Sequence, residues 1–157
     1  MEAIGFRLDK WLFDERIRWE PPSRGEREPT YSGRVIIPKI RHLARLEGLE
    51  NLVVKGDGPH QQGCDSVLIA GRRVIPDISI QLSQATKLAV EVKYVDGSID
   101  PVKQAIGQAV LYLSGSYRAS RVLFISKDGT RKFTSRELDR MNDYFPGGEL
   151  KFFEIAQ

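Results

Sequence analysis

Asp77, Glu91 and Lys93 are the residues through which this chain could do chemistry. Glu91 and Lys93 stand two apart in the run 88–95, Leu-Ala-Val-Glu-Val-Lys-Tyr-Val, whose β-branched and apolar character reads as a buried strand. Side chains alternate along a strand, so both charges leave one face while Val90, Val92 and Tyr94 fill the other. A hairpin turn over 81–87 brings Asp77 back alongside them. Two carboxylates and an ammonium then converge where charge is costly unless paired or bound to metal. Pro76 has no amide to give a ladder, and a bend there turns the Asp77 carboxylate out of the pleat. Carboxylates from two strands can share a hard cation such as Mg²⁺, with Mn²⁺ as a substitute, because such ions take oxygen ligands and keep several waters. The cation would polarise a phosphoryl oxygen and acidify water, while Lys93 would orient that water and stabilise transition-state charge. That chemistry is phosphodiester hydrolysis. The plainer alternative is a half-exposed strand carrying a surface ion pair of little energetic value.

The elements that must position these residues follow from the patterning. Ile4, Leu8, Trp11, Leu12 and Trp19 are close to helical spacing and predict a helix over 3–19. The Pro- and charge-rich stretch 21–29 reads as an exposed linker. Ile36, Ile40, Leu43 and Leu46 predict a second helix within 35–50, starting near Pro38 and ended by Gly48. Short strands are expected at 52–54, and as a hairpin of 67–70 with 73–82, before the strand 88–95. The stretch 56–63 is a loop that could touch nucleic acid but lacks phosphate-loop spacing. Asp100 and Pro101 open a helix that runs to Ser114, after which 122–125 is a buried strand. Thr134 and Glu137 form a capping box for a helix reaching Phe145, and 150–155 is a last strand. The expectation is an α/β fold, a central mixed sheet flanked by helices in the order α-β-β-β-α-β.

Pro76-Asp77 followed by Glu91-Val92-Lys93, set in this order of elements, resembles the PD-(D/E)XK nuclease superfamily with its restriction-endonuclease-like core. The resemblance covers roughly residues 35–126, which suggests residues 1–33 as an N-terminal helix and linker and 34–157 as the nuclease domain. It implies that Asp77 and Glu91 hold the metal and that Asp77, Glu91 and Lys93 are catalytic. Gln104, Gln108 and Tyr112 form one stripe of the helix after the strand, since a spacing of four drifts by only about 40° per step. Gln108 with Tyr112 is similar to a pair that lies against the active site or DNA in RecB-like members. The alternative for this stripe is a polar outer face, with Val102, Ile106, Ala109, Val110 and Leu113 packing on the sheet. Many members add a carboxylate from the helix before the sheet. Glu47 is the expected donor, with Glu50 beside it and Glu26 and Glu28 in the linker.

Composition bounds these readings. The chain has 157 residues, 41% of them hydrophobic, which suits one domain with a real core. Net charge is +3, with 5 basic against 7 acidic residues over 46–99 and basic excesses on both sides. An acidic centre suits divalent cations, and basic flanks suit phosphate backbones. Cys64 is the sole cysteine, so no internal disulfide or cysteine zinc site is available. No run suits a membrane span and residues 1–3 do not start a secretory signal, so a cytoplasmic location is expected. His60, Asp57 and Asp65 read as loop or capping residues, with Asp65 able to approach the metal. Trp11 and Trp19 read as packing or association anchors, and cutting both strands of a duplex would require a homodimer or higher homo-oligomer. The expected function is a Mg²⁺-dependent endonuclease acting on DNA, in restriction, defence or mobile-element biology. The alternatives are a repair or structure-selective nuclease, an RNA substrate, and a catalytically silent nucleic-acid-binding module.

Overall fold

The computed structural model describes residues 2–14, 16–58, 63–83, 86–155 and 157, with the side chains of 2–6, 82 and 83 left aside. His60 lies outside the described residues. The chain forms an α/β fold around a mixed five-stranded sheet. Helix α1 (Glu2–Phe13) precedes α2 (Glu28–Tyr31), a π-helical turn (Ser32–Ile36) and α3 (Ile37–Leu46). Then follow β1 (Val53–Gly56), β2 (Val67–Ile69), β3 (Arg72–Val74), β4 (Ile78–Ser83) and β5 (Thr86–Val95). Helix α4 (Asp100–Leu113), β6 (Ala119–Ser126), α5 (Ser135–Asp143) and β7 (Leu150–Glu154) complete it. The sheet order is β1-β4-β5-β6-β7, antiparallel from β1 to β5 and parallel from β5 to β7. The hairpin β2-β3 stands apart as a second sheet.

Alternation explains the layers. Leu88, Val90 and Val92 of β5 join Leu123 and Ile125 of β6 under α1 and α3. On the opposite face Val122 and Phe124 pack with Val102, Ala105 and Ala109 of α4. Every residue of β6 is buried, as a central strand covered on both sides requires. Thr134 and Glu137 make the expected capping box at the start of α5. Asp100, expected as a cap, is the first residue of α4, with Ile99 in the cap position. Val110, expected against the sheet, is 43% exposed, and Ala105 and Tyr112 are buried in its place. Among the described residues no helix is long and apolar enough to cross a membrane.

The N-terminal third departs most from expectation. Helix α1 stops at Phe13, where the Asp14 carboxylate takes the Arg16 amide and side chain and closes a turn. The second helix starts not near Pro38 but ten residues earlier, at Glu28, and runs without a break to Leu46. Pro38 has no N–H for the Arg34 carbonyl, and the helix widens just before it: Ile37 N–H donates to Ser32 O, five residues back. The expected boundary after residue 33 therefore falls inside a continuous helix. Leu8, Trp11, Leu12 and Trp19 are buried in the same core as Val92 and Leu123, so neither tryptophan is offered to a partner.

Asp9 ties this segment to the sheet. It is buried, accepts from Arg121 Nε at 2.7 Å and lies 3.0 Å from Lys151 Nζ. Arg121 is buried as well and also donates to the Gly148 carbonyl. Removing Asp9 leaves that guanidinium uncompensated, at a cost of about 3–5 kcal/mol. Asp9→Ala is expected to lower the melting temperature by on the order of 10 °C, and deletion of residues 1–33 to abolish cooperative unfolding in calorimetry. A truncated chain melting within a few degrees of the full one would show that the N-terminal third is dispensable.

Candidate functional site

The site forms where β4 and β5 part. Ile78 pairs with Val90, so the same register sets Asp77 opposite Glu91 and Pro76 opposite Val92. Proline cannot return a ladder bond, and the strands separate there. The Val92 amide donates instead to Asp77 Oδ2 at 2.7 Å. Asp77 is anchored again through its carbonyl, which accepts from the Asp57 amide at 3.0 Å. Behind Pro76 the chain has come from the separate hairpin β2-β3, so what reads as one strand over 73–82 is two.

Glu91 is 3% exposed in the middle of β5. Tyr112, fully buried on α4, donates to Glu91 Oε2 at 2.5 Å and also lies 3.2 Å from the Ile75 carbonyl. One phenolic hydrogen faces two acceptors, and the set closes when Glu91 itself carries a proton. Burial, aided by the charge of Asp77, pushes Glu91 up to about 8 against the pull of Tyr112 and Lys93. Burial likewise raises Asp77 to about 6, opposed by the Val92 amide and reinforced by Glu28. The two carboxyls interact and titrate as a pair.

Lys93 completes the group from two residues along β5. Its Nζ lies 4.0 Å from Glu91 Oε1 and 3.3 Å from Glu28 Oε2. Glu28, in the stretch that reads as a linker, is helical instead. It opens α2, and the continuous helix carries it to the mouth of the site. Glu28, Asp77 and Tyr94 line a cleft of about 420 Å³ with Gly25, Glu26, Arg27, Pro29 and Lys127.

No protein family, curated protein or solved structure matches this chain.

Glu47 is not brought to this group. It accepts from Trp11 Nε1 at 2.7 Å and pairs with Arg7, fastening α3 to α1. Asp65 pairs with Lys87, and its carbonyl receives the Tyr117 hydroxyl. The Gln104, Gln108 and Tyr112 stripe sinks into the protein along its length: Gln104 is exposed, Gln108 half-buried and Tyr112 buried. Gln108 lies one helical turn, about 6 Å, before Tyr112 on α4, which packs on β5 and β6. Its Oε1 is buried with no hydrogen-bond partner among the described residues. An unmatched acceptor there costs about 1–3 kcal/mol, which a donor arriving from outside would recover.

Among the described residues no group of three or more His, Cys, Asp or Glu side chains is placed so that it could hold a metal ion by itself. One oxygen each of Asp77 and Glu91 is occupied by a protein donor. Their other oxygens, Asp77 Oδ1 and Glu91 Oε1, make no hydrogen bond among the described residues, and an ion such as Mg²⁺ needs only one or two carboxylates when water and phosphate supply the rest.

Proposed function

We propose that this chain is a metal-dependent nuclease that hydrolyses DNA phosphodiester bonds, with a restriction-endonuclease-like core. The observation that carries the reading is the convergence of half-buried Asp77 and buried Glu91 with Lys93 at the point where Pro76 opens the sheet. An antiparallel β1-β4-β5 unit followed by a helix and the parallel strand β6 supports the fold assignment.

The donor set fits Mg²⁺ or Mn²⁺. It is all oxygen, and burial, reinforced by the neighbouring acidic charges, makes both carboxyls hold their protons tightly until a cation replaces them. Asp77 and Glu91 would hold the ion, while Glu28 pairs with Lys93 at 3.3 Å. The bound ion supplies Lewis-acid stabilisation of phosphoryl charge and makes water a better nucleophile. Lys93 orients the attacking water and donates to the phosphoryl oxygens as charge builds on them. Tyr112 fixes the Glu91 rotamer and its protonation, and Gln108 Oε1 accepts a donor from water or nucleic acid.

Incubation of the purified protein with supercoiled, linear, single-stranded and branched DNA tests the reading, with Mg²⁺, Mn²⁺ or EDTA. Cleavage that requires the cation is expected, and full integrity of every substrate under all conditions would overturn it. Within the site, Gln108→Ala combined with Tyr112→Phe is expected to reduce cleavage by about ten- to a hundredfold, corresponding to roughly 1–3 kcal/mol of lost buried hydrogen bonding. Unchanged kinetics would return both residues to a purely structural role.

A further inference from the structure

The cleft beside Asp77 carries two cations that the proposed chemistry does not use. Asp77 belongs to the proposed metal site, and the other acidic residues of the cleft are already matched, Glu26 with Arg34 and Glu28 with Lys93. Arg27 and Lys127, on the same walls, are exposed, and neither has an ion-pair partner among the described residues.

Lys127 is seated. Its Nζ lies 4.7 Å from the centroid of the Tyr94 ring, and Tyr94 is itself a wall of the cleft. A ring face attracts an ammonium through its quadrupole without satisfying the donors that point away from it. The adjacent acid does not quench this charge, because Asp128 is engaged by Ser126, Thr130 and Lys132. Arg27 precedes α2 in an extended conformation, φ −85° and ψ 153°, and makes no side-chain cap. Its guanidinium is exposed, and such a fork matches phosphate oxygens.

We infer that Arg27 and Lys127 grip the backbone of the polynucleotide, taking phosphates next to the one presented to Asp77, Glu91 and Lys93. The inference rests on the nuclease reading and names the contacts that align its substrate. Backbone contacts of this kind fix register without reading bases, so the grip is indifferent to sequence. DNA and RNA share the chemistry it recognises.

Fluorescence anisotropy tests the grip separately from catalysis. The probes are fluorescein-labelled twenty-nucleotide single-stranded DNA, duplex DNA and single-stranded RNA, each titrated with full-length protein in EDTA at several KCl concentrations. Each of Arg27→Ala and Lys127→Ala is expected to weaken binding roughly eightfold at 0.1 M salt and to lower the slope of log K against log salt by about 0.7 to 0.9. Lys127→Arg keeps the slope. Both positions are exposed, so melting temperatures stay at the wild-type value, and the tightest of the three probes identifies the nucleic acid. A double variant with wild-type affinity and slope overturns the grip and leaves the nuclease reading to the cleavage assay. Wild-type protein that binds none of the probes overturns both. Binding that depends on both cations without any metal-dependent cleavage upholds the grip and defeats the hydrolytic reading.

Discussion

Replacing Lys93 with alanine is expected to slow DNA cleavage by about 10²–10³-fold while the protein still folds and still binds nucleic acid. The ammonium is 12% exposed and held between Glu28 and Glu91, so it enters the site already oriented. Its contribution is greatest in the transition state, when charge accumulates on the phosphoryl oxygens, and smaller in the ground state. The loss should therefore fall mainly on kcat, with KM close to wild type. Lys93→Arg is a discriminating companion. The planar guanidinium keeps the charge but not the compact position, so it is expected to recover only part of the rate. Stability responds in a second way, because alanine leaves Glu28 without its partner and removes the cation that draws down the Asp77 and Glu91 values. The proton affinity of that pair rises, and any residual cleavage should shift its optimum to higher pH. Wild-type turnover in Lys93→Ala would remove Lys93 from the mechanism.

The second large effect is on stability against pH and metal. Folding raises Asp77 from an ordinary 3.8 to about 6 and Glu91 from 4.5 to about 8, both mainly through burial. A carboxyl whose value rises on folding binds its proton more tightly in the native state. Its stabilisation is complete below about pH 4 and is lost as pH climbs through the folded value. The metal-free protein is expected to lose on the order of 3–5 kcal/mol between about pH 5 and pH 8, and roughly 10 °C in melting temperature. Glu91→Gln cannot ionise and should flatten this profile, melting above the wild type at pH 8. Mg²⁺ or Mn²⁺ competes with those same protons, so the melting shift on adding the ion should be larger at pH 8 than at pH 6. Calorimetry across pH, with and without 10 mM-range cation (about the upper end of useful excess over a weak site), reads both effects. A wild-type melting temperature that is flat from pH 5 to 8 would contradict the buried-carboxylate argument. A metal shift that survives in the Asp77→Asn, Glu91→Gln double variant would place the ion elsewhere.

The heart of the site was legible in the chain because it is local. Asp77, Glu91 and Lys93 belong to one hairpin, and the period of two in β5 with the missing amide of Pro76 is enough to bring them together. The capping box at Thr134 and the apolar run 122–125 within β6 were legible for the same reason, since each depends on residues within one element. Glu28 was not legible. Pro38 looks like a helix start, and only the π-helical turn before it lets one helix run back to Glu28 and deliver that carboxylate to Lys93. Glu47, equally acidic on paper, is drawn away by Trp11 and Arg7 on a helix that the sequence placed outside the core. Tyr112 and Gln104 share a helical stripe, yet one is buried on Glu91 and the other is exposed, because only the C-terminal end of the stripe reaches the carboxylate on β5. The bond from Arg121 to Asp9 spans 112 residues. Periodicity and turn chemistry report only on neighbours along the chain, so they determined the hairpin and its three charged residues. Which carboxylate joins them, and which helix closes the core, was decided by packing and ion pairing between segments that no local pattern connects.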